Sequence, residues 1–228
     1  MAQSLTEFNY LLEMSKKAGF VDNIYFSKNI LKRYFVRKNL TRILDNAIKL
    51  PSRFTVLDFG PGYGALLSVL SKHYKSVIGV DIDDQQIKKA AKLIEICKTK
   101  NVELILQNEE NELKQFNDNY FDCVIANNVL EHIDISQSKL ILEKFFSILK
   151  PNGTLLVSLP SENFIYRVFE SQHDGHVLRS SKEINALISL ISSYFSLHSK
   201  FDVFPFFKNC VFIKSYVVNN QSSDNDRD

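Results

Sequence analysis

The residues of this chain whose types and spacing could do chemistry are concentrated in VLDFGPGYG, residues 56–64. Gly60, Gly62 and Gly64 follow an apolar run that ends in Asp58, and a helix-like stretch, Ala65 to His73, comes next. A strand, a glycine turn and a helix in that order make a binding corner of nucleotide size. Without side chains the turn lets ligand and backbone approach closely. The spacing is GxGxG after an acid, not GxGxxG, which points away from a dinucleotide. Asp81 is the next candidate. It ends VIGVD, a strand that would lie beside the first, and an acid at the tip of such a strand can accept both ribose hydroxyls of a nucleoside. Asp83 and Asp84 follow where a helix starts. Asp83 suits the N-cap, which leaves Asp81 for a ligand.

Three histidines are candidates for a catalytic general base: His132 in LEHI, and His173 and His176 in QHDGH. Each also has a structural reading. His132 would pack at a helix start, and the other two would sit in a surface loop, with or without lining an acceptor cleft. The histidine pair has no third ligand of clear spacing, so no metal site is expected.

The elements that must position these residues alternate. Strands are predicted at 54–58, 77–81, 102–106, 121–126 and 153–159, with helices at 64–73, 84–98 and 136–149 between them. This pattern predicts a parallel sheet with helices on both faces. Pro151-Asn152-Gly153 predicts a sharp turn before the fifth strand. A helix at 181–193 and two strand-like runs, 195–204 and 210–218, follow and are expected to be antiparallel at the sheet edge. Helices are predicted at 4–18 and 28–49. The second has Lys28, Lys32, Arg33, Arg37, Lys38 and Arg42, and no acid from 28 to 44. Leu31, Phe35, Leu40, Ile43, Leu44 and Ala47 form its expected buried side. Its charges could face an anionic acceptor, a membrane surface or only solvent.

At 228 residues the chain suits one domain with a small cap: 1–50 helical, 51–218 the α/β unit, and 219–228 a disordered tail. A net charge of +2 gives no reason to expect nucleic acid. No apolar run is long enough to span a bilayer, and MAQSLTEFNY lacks a secretory pattern. Cys97, Cys123 and Cys210 are far apart in hydrophobic segments, so reduced thiols and a cytoplasmic location are expected.

LDFGPGYG at 57–64, GVDID at 79–83, FDCVIANNVLEHI at 121–133 and LKPNGTLLVSLP at 149–160 stand in an order and at separations that resemble the class I S-adenosylmethionine-dependent methyltransferases of small-molecule type. The resemblance covers roughly residues 54–160 and implies a Rossmann-like α/β fold, with a seven-stranded, mostly parallel sheet of order 3-2-1-4-5-7-6. It implies that Gly60 and Gly62 pass under the methionine and ribose of the cofactor, with Asp58 near the methionine amino group. Asp81 would take the ribose hydroxyls, Glu109 the adenine amino group, and Asn127 the sulfonium end. Gly64 and Ile82, in the same motifs, complete the expected cofactor set. Glu131-His132 would stand close to the transferring methyl group.

The implied activity is transfer of a methyl group from S-adenosylmethionine to a small-molecule or lipid-like acceptor, leaving S-adenosylhomocysteine. Tyr10, Tyr34, Phe164, Tyr166 and Phe169 would suit an apolar acceptor. Peripheral membrane contact through 28–44 fits the same picture. Methylation of base nitrogens is disfavoured, because Ala126-Asn127-Asn128-Val129 has no proline where such enzymes carry an Asn/Asp-Pro-Pro-aromatic motif. A non-catalytic subunit that binds the nucleoside, or an enzyme acting on protein or RNA, are the alternatives.

Overall fold

The computed structural model of the protein describes residues 2–20, 26–51, 53–107, 113–160, 180–203 and 207–215. Two helices come first, α1 (Ala2–Lys17) and α2 (Ile30–Ile48). Strands and helices then alternate: β1 (Thr55–Phe59), α3 (Ala65–Leu70), β2 (Ser76–Asp81), α4 (Asp84–Cys97) and β3 (Val102–Leu106). They continue as β4 (Phe121–Asn127), α5 (Ile135–Ile148), β5 (Leu149–Pro160), α6 (Ser181–Tyr194), β6 (Ser196–Lys200) and β7 (Phe207–Ile213).

Local chemistry sets the helix starts. Asn29 caps α2, its Oδ1 accepting the Lys32 amide at 3.0 Å. Asp83 caps α4 by accepting the Gln85 amide at 2.8 Å, as its position in GVDID predicts. Ser180 and Glu183 form a reciprocal capping box at α6.

Among the described residues the strands form one sheet in the order β3-β2-β1-β4-β5-β7-β6. The central pairs run parallel, and only β7 is reversed, pairing antiparallel with both β5 and β6. Alternate residues of the buried strands serve opposite layers. Val56, Val77, Cys123, Ile125 and Leu156 pack toward α1 to α4, in one core with Leu11, Leu40, Leu44, Leu67 and Leu93. Leu57, Ile78, Val124, Leu155 and Phe212 pack toward α5 and α6, with Leu142, Phe145, Leu187 and Ile191. The first two helices therefore share a core with the sheet.

Two expectations need correction. Pro151-Asn152-Gly153 does not precede the fifth strand but kinks it. β5 starts at Leu149, opposite Phe121, and pairing resumes at Thr154 opposite Cys123. Asn152 takes the left-handed φ of +59° inside this bulge, and its amide donates to Lys214 O on the neighbouring strand's extension. Leu31 is exposed instead of buried. Burial on α2 begins at Val36, so its first turn projects beyond the layer on which the rest of the helix packs.

Candidate cofactor site

The chain leaves β1 at the point where strand order reverses, between β1 and β4, the place where open α/β sheets bind ligands. Gly60 turns there with φ +72° and donates its amide to Val80 O at 2.8 Å, which pins the turn to β2. A Cβ at Gly60 would lie 2.4 Å from Val129 Cγ2, so the turn and the loop after β4 touch directly. Gly62 has φ +56°, and a Cβ there would meet nothing within 4 Å. Its open side faces the cleft. Gly64 heads α3 and packs instead on Ala90 of α4, with a hypothetical Cβ 3.0 Å from that methyl group.

The cleft, about 830 Å³, is lined by Gly60, Gly62, Tyr63, Asp81, Ile82, Gln107, Leu113, Asn128, Val129, His132 and Ile133, among others. Asp81 sits at the tip of β2, half-buried. Its Oδ2 accepts the Gly62 amide at 3.2 Å and its Oδ1 accepts the Asp83 amide at 3.0 Å. Burial raises its pKa, and those two donated hydrogen bonds oppose the rise.

Asp58 lies in β1 beside Gly79 of β2 and does not line the cleft surface. It is 1% exposed, and neither carboxylate oxygen has a hydrogen-bond partner among the described residues. Burial, and then the negative charge of Asp81, push its pKa up to about 8. Two acids in this relation call for a cation or a set of donors. A ligand with an ammonium and a sulfonium beside a ribose supplies both, so the residues fit S-adenosylmethionine.

The expected set is partly reunited. Gly60, Gly62, Asp81, Ile82 and His132 share the cleft. His132 closes the 3₁₀ turn Leu130–His132, is 39% exposed in its side chain, and holds Nε2 3.7 Å from Oε1 of the buried Glu131. Asn127 ends β4 with its Oδ1 buried and unpartnered among the described residues, while its neighbour Asn128 reaches the cleft with φ +56°. Glu109, His173, His176, Phe164, Tyr166 and Phe169 lie outside the described residues. Neither aromatic expected from the N-terminal helices lines the cleft: Tyr10 packs on the core and Tyr34 is exposed on α2.

Gln107 and Asn128 are cleft residues that sequence reasoning passes over. Gln107 follows β3, its amide donates to Asp81 O at 2.8 Å, and its Oε1 is buried without a partner among the described residues. Its place directly after an apolar strand was the available signal. Asn128 gives none, because only its backbone conformation turns it toward the cleft.

The sheet order, the glycine turn at the switch point and the acid at the tip of β2 define the class I S-adenosylmethionine-dependent methyltransferase architecture. Residues 29–199 match the family model described as a methyltransferase domain, and the chain belongs to that family. The mitochondrial ubiquinone biosynthesis O-methyltransferase of Bos taurus is 34% identical over 137 residues, which cover 58% of this chain and 36% of that enzyme. A ubiquinone/menaquinone biosynthesis C-methyltransferase of Salmonella arizonae is 29% identical over 168 residues, covering 68% of this chain and 65% of the relative. The chain thus spans well under half of the bovine relative's length. In fold it is similar to the N-methyltransferase NodS from Bradyrhizobium japonicum in complex with S-adenosylhomocysteine. There the TM-score is 0.66 at 16% identity, covering 90% of this chain and 98% of that one.

Proposed function

We propose that the protein binds S-adenosylmethionine in the cleft beside Gly60, Gly62 and Asp81 and transfers its methyl group to a small-molecule or lipid-like acceptor. The observation that carries this reading is the Asp58 carboxylate, buried without a hydrogen-bond partner among the described residues, beside the glycine turn and near a second acid. Asp58, buried behind the glycine turn, supplies negative charge beneath the amino end of the cofactor, Asp81 takes the ribose hydroxyls, and Gly62 leaves room for the ligand to lie against the backbone. Ile82, Leu113 and Ile133 offer apolar surface for the base, and Gln107 a polar atom at its edge. Asn127 borders the sulfonium, and Glu109, outside the described residues, is assigned by its motif to the adenine amino group.

When bound, the cofactor supplies a methyl carbon activated by sulfonium, and the acceptor's lone pair forms the new bond as the C–S bond breaks. The chain's own part is alignment and exclusion of water, which for well-oriented reactants can lower a barrier by on the order of 7–11 kcal/mol. His132, which lines the cleft beside the buried Glu131 carboxylate, would take a proton from an O–H or N–H acceptor. His173 and His176 are further candidates for that role. The relatives named for ubiquinone biosynthesis support an acceptor of small or lipid-like type, and three thiols outside any disulfide support a cytoplasmic location. Contact with a membrane through 28–44 belongs to the same proposal.

The test is incubation with methyl-labelled S-adenosylmethionine and extract of the source cells, followed by separation of the products. Label in the organic-soluble or small polar fraction supports the reading. Label in protein or nucleic acid overturns the acceptor class, and cofactor binding without transfer overturns the activity.

A further inference from the structure

The groove between α1 and α2 lies apart from the cleft and has a volume of about 500 Å³. Its lining combines the Phe8 ring, Ile30 and Tyr34 with the cations Arg33, Lys38 and Arg42. We propose that this groove and the projecting first turn of α2 dock on an anionic lipid surface, with the cations meeting headgroup phosphates and the apolar turn entering the headgroup boundary. This deepens the membrane contact proposed above, and it holds whether or not methyl transfer occurs.

Arg33, Lys38 and Arg42 have no ion-pair partner among the described residues. The acids of α1 are engaged elsewhere: Glu7 with Lys72 and His73, and Glu13 with Lys17. Asp45, the acid of the groove, is buried at its far end and stands 3.9 Å from Lys49. An anionic occupant is complementary to this surface.

The apolar residues decide which anion. Ile30 is 69% exposed, Leu31 47% and Tyr34 54%, at positions i, i+1 and i+4 at the start of α2. Lys38 Nζ stands 5.6 Å from the Tyr34 ring centroid, so charge and apolar surface adjoin. Isolated exposed apolar residues are ordinary, but three together beside clustered cations are the composition of an interfacial helix. A bilayer offers phosphate outside and hydrocarbon beneath, in that order. A nucleic acid offers no apolar layer for Ile30 and Leu31. Among the described residues no helix is long and apolar enough to cross a membrane. The same helix also reaches the cleft rim. Asn39 Nδ2 donates to Ser158 Oγ at 3.0 Å, and that hydroxyl donates to Asn128 Oδ1 at 3.1 Å. Docking through α2 would hold the cleft at the lipid surface.

The test is co-sedimentation of the full chain with vesicles of phosphatidylcholine alone and of phosphatidylcholine with one third phosphatidylglycerol, at low and at 0.5 M salt. The expected result is binding to the anionic vesicles that salt weakens, with little on the neutral ones. Arg33→Gln/Lys38→Gln/Arg42→Gln should weaken it on the order of 100-fold, about five-fold per charge removed. Ile30→Ser/Leu31→Ser/Tyr34→Ser should weaken it as well, at low salt. Both sets of positions lie outside the cofactor cleft. Calorimetric titration of each variant with S-adenosylmethionine, compared with the parent, therefore shows whether the fold is kept and reports on the cofactor reading separately. Equal binding to both vesicle types, no binding to anionic vesicles, or parent-like binding by the charge variant would overturn the proposal. Preferential retention on a single-stranded RNA oligonucleotide over anionic vesicles would overturn it also.

Discussion

The Gly62 amide donates to Oδ2 of Asp81 across 3.2 Å, tying the glycine turn after β1 to the acidic tip of β2. One carboxylate thus orders the turn and keeps lone pairs for a ligand. The arrangement explains why Gly62 and Asp81 come together although a helix separates them in the chain, and it makes each residue's effect on binding depend on the other.

The glycines should separate by variant. Gly60→Ala combines a φ of +72° with a Cβ 2.4 Å from Val129 Cγ2. It should lower unfolding free energy by about 2–4 kcal/mol, from left-handed strain plus overpacking. Gly62→Ala meets no atom within 4 Å and carries only the strain, about 1–2 kcal/mol. Urea denaturation measures both. Equal losses would contradict the close approach of the turn to the β4 loop.

The Asp58 carboxyl predicts a pH dependence. Its pKa in the folded protein, pushed up to about 8 by burial and by Asp81, exceeds the unfolded value of about 3.9. Between those values the folded state binds the extra proton, so the ligand-free protein should lose stability as pH rises from about 4 to about 8. Melting temperature should fall across that window, and Asp58→Asn should flatten the profile. A parent that melts higher at pH 8 than at pH 5, with the variant unchanged, would contradict this.

Cofactor binding should show the same proton. A cationic ligand favours the ionised carboxylate, so binding below pH 8 releases a proton and tightens as pH rises. Calorimetry in two buffers of different ionisation enthalpy reads the release directly. Asp58→Asn should abolish it.

The polar chain under α2 should matter to stability. Asn209 Nδ2 donates to Asn39 Oδ1 at 2.7 Å, and Asn39 Nδ2 donates to Ser158 Oγ at 3.0 Å, all of it buried. Asn39→Leu strands the Asn209 amide without its acceptor and should cost about 1–3 kcal/mol in urea denaturation. A neutral effect would mean that the contact between α2 and the sheet does not depend on this chain.

Much of the architecture is legible in the sequence, because apolar runs of strand length between helical stretches leave few choices. The order Asp58, Gly60, Gly62, Asp81 is legible for the same reason, since each lies at or within three residues of a strand end. The exceptions are local. Pro151 and Gly153 signal a turn, yet pairing on both sides carries β5 through it as a bulge. Leu31 fits the helical periodicity but lies beyond what α2 packs against. Asn128 and Gln107 owe their places to backbone direction at strand ends, which side-chain type does not encode.

The central claim is that the Gly62–Asp81 corner holds the nucleoside of the cofactor. Calorimetric titration of the parent and of Asp81→Ala with S-adenosylmethionine tests it most directly. Saturable binding by the parent, weakened by about 1.5–3 kcal/mol in the variant, is the predicted result for loss of hydrogen bonds to a charged acceptor. Unchanged affinity in a variant that melts like the parent would contradict the assignment.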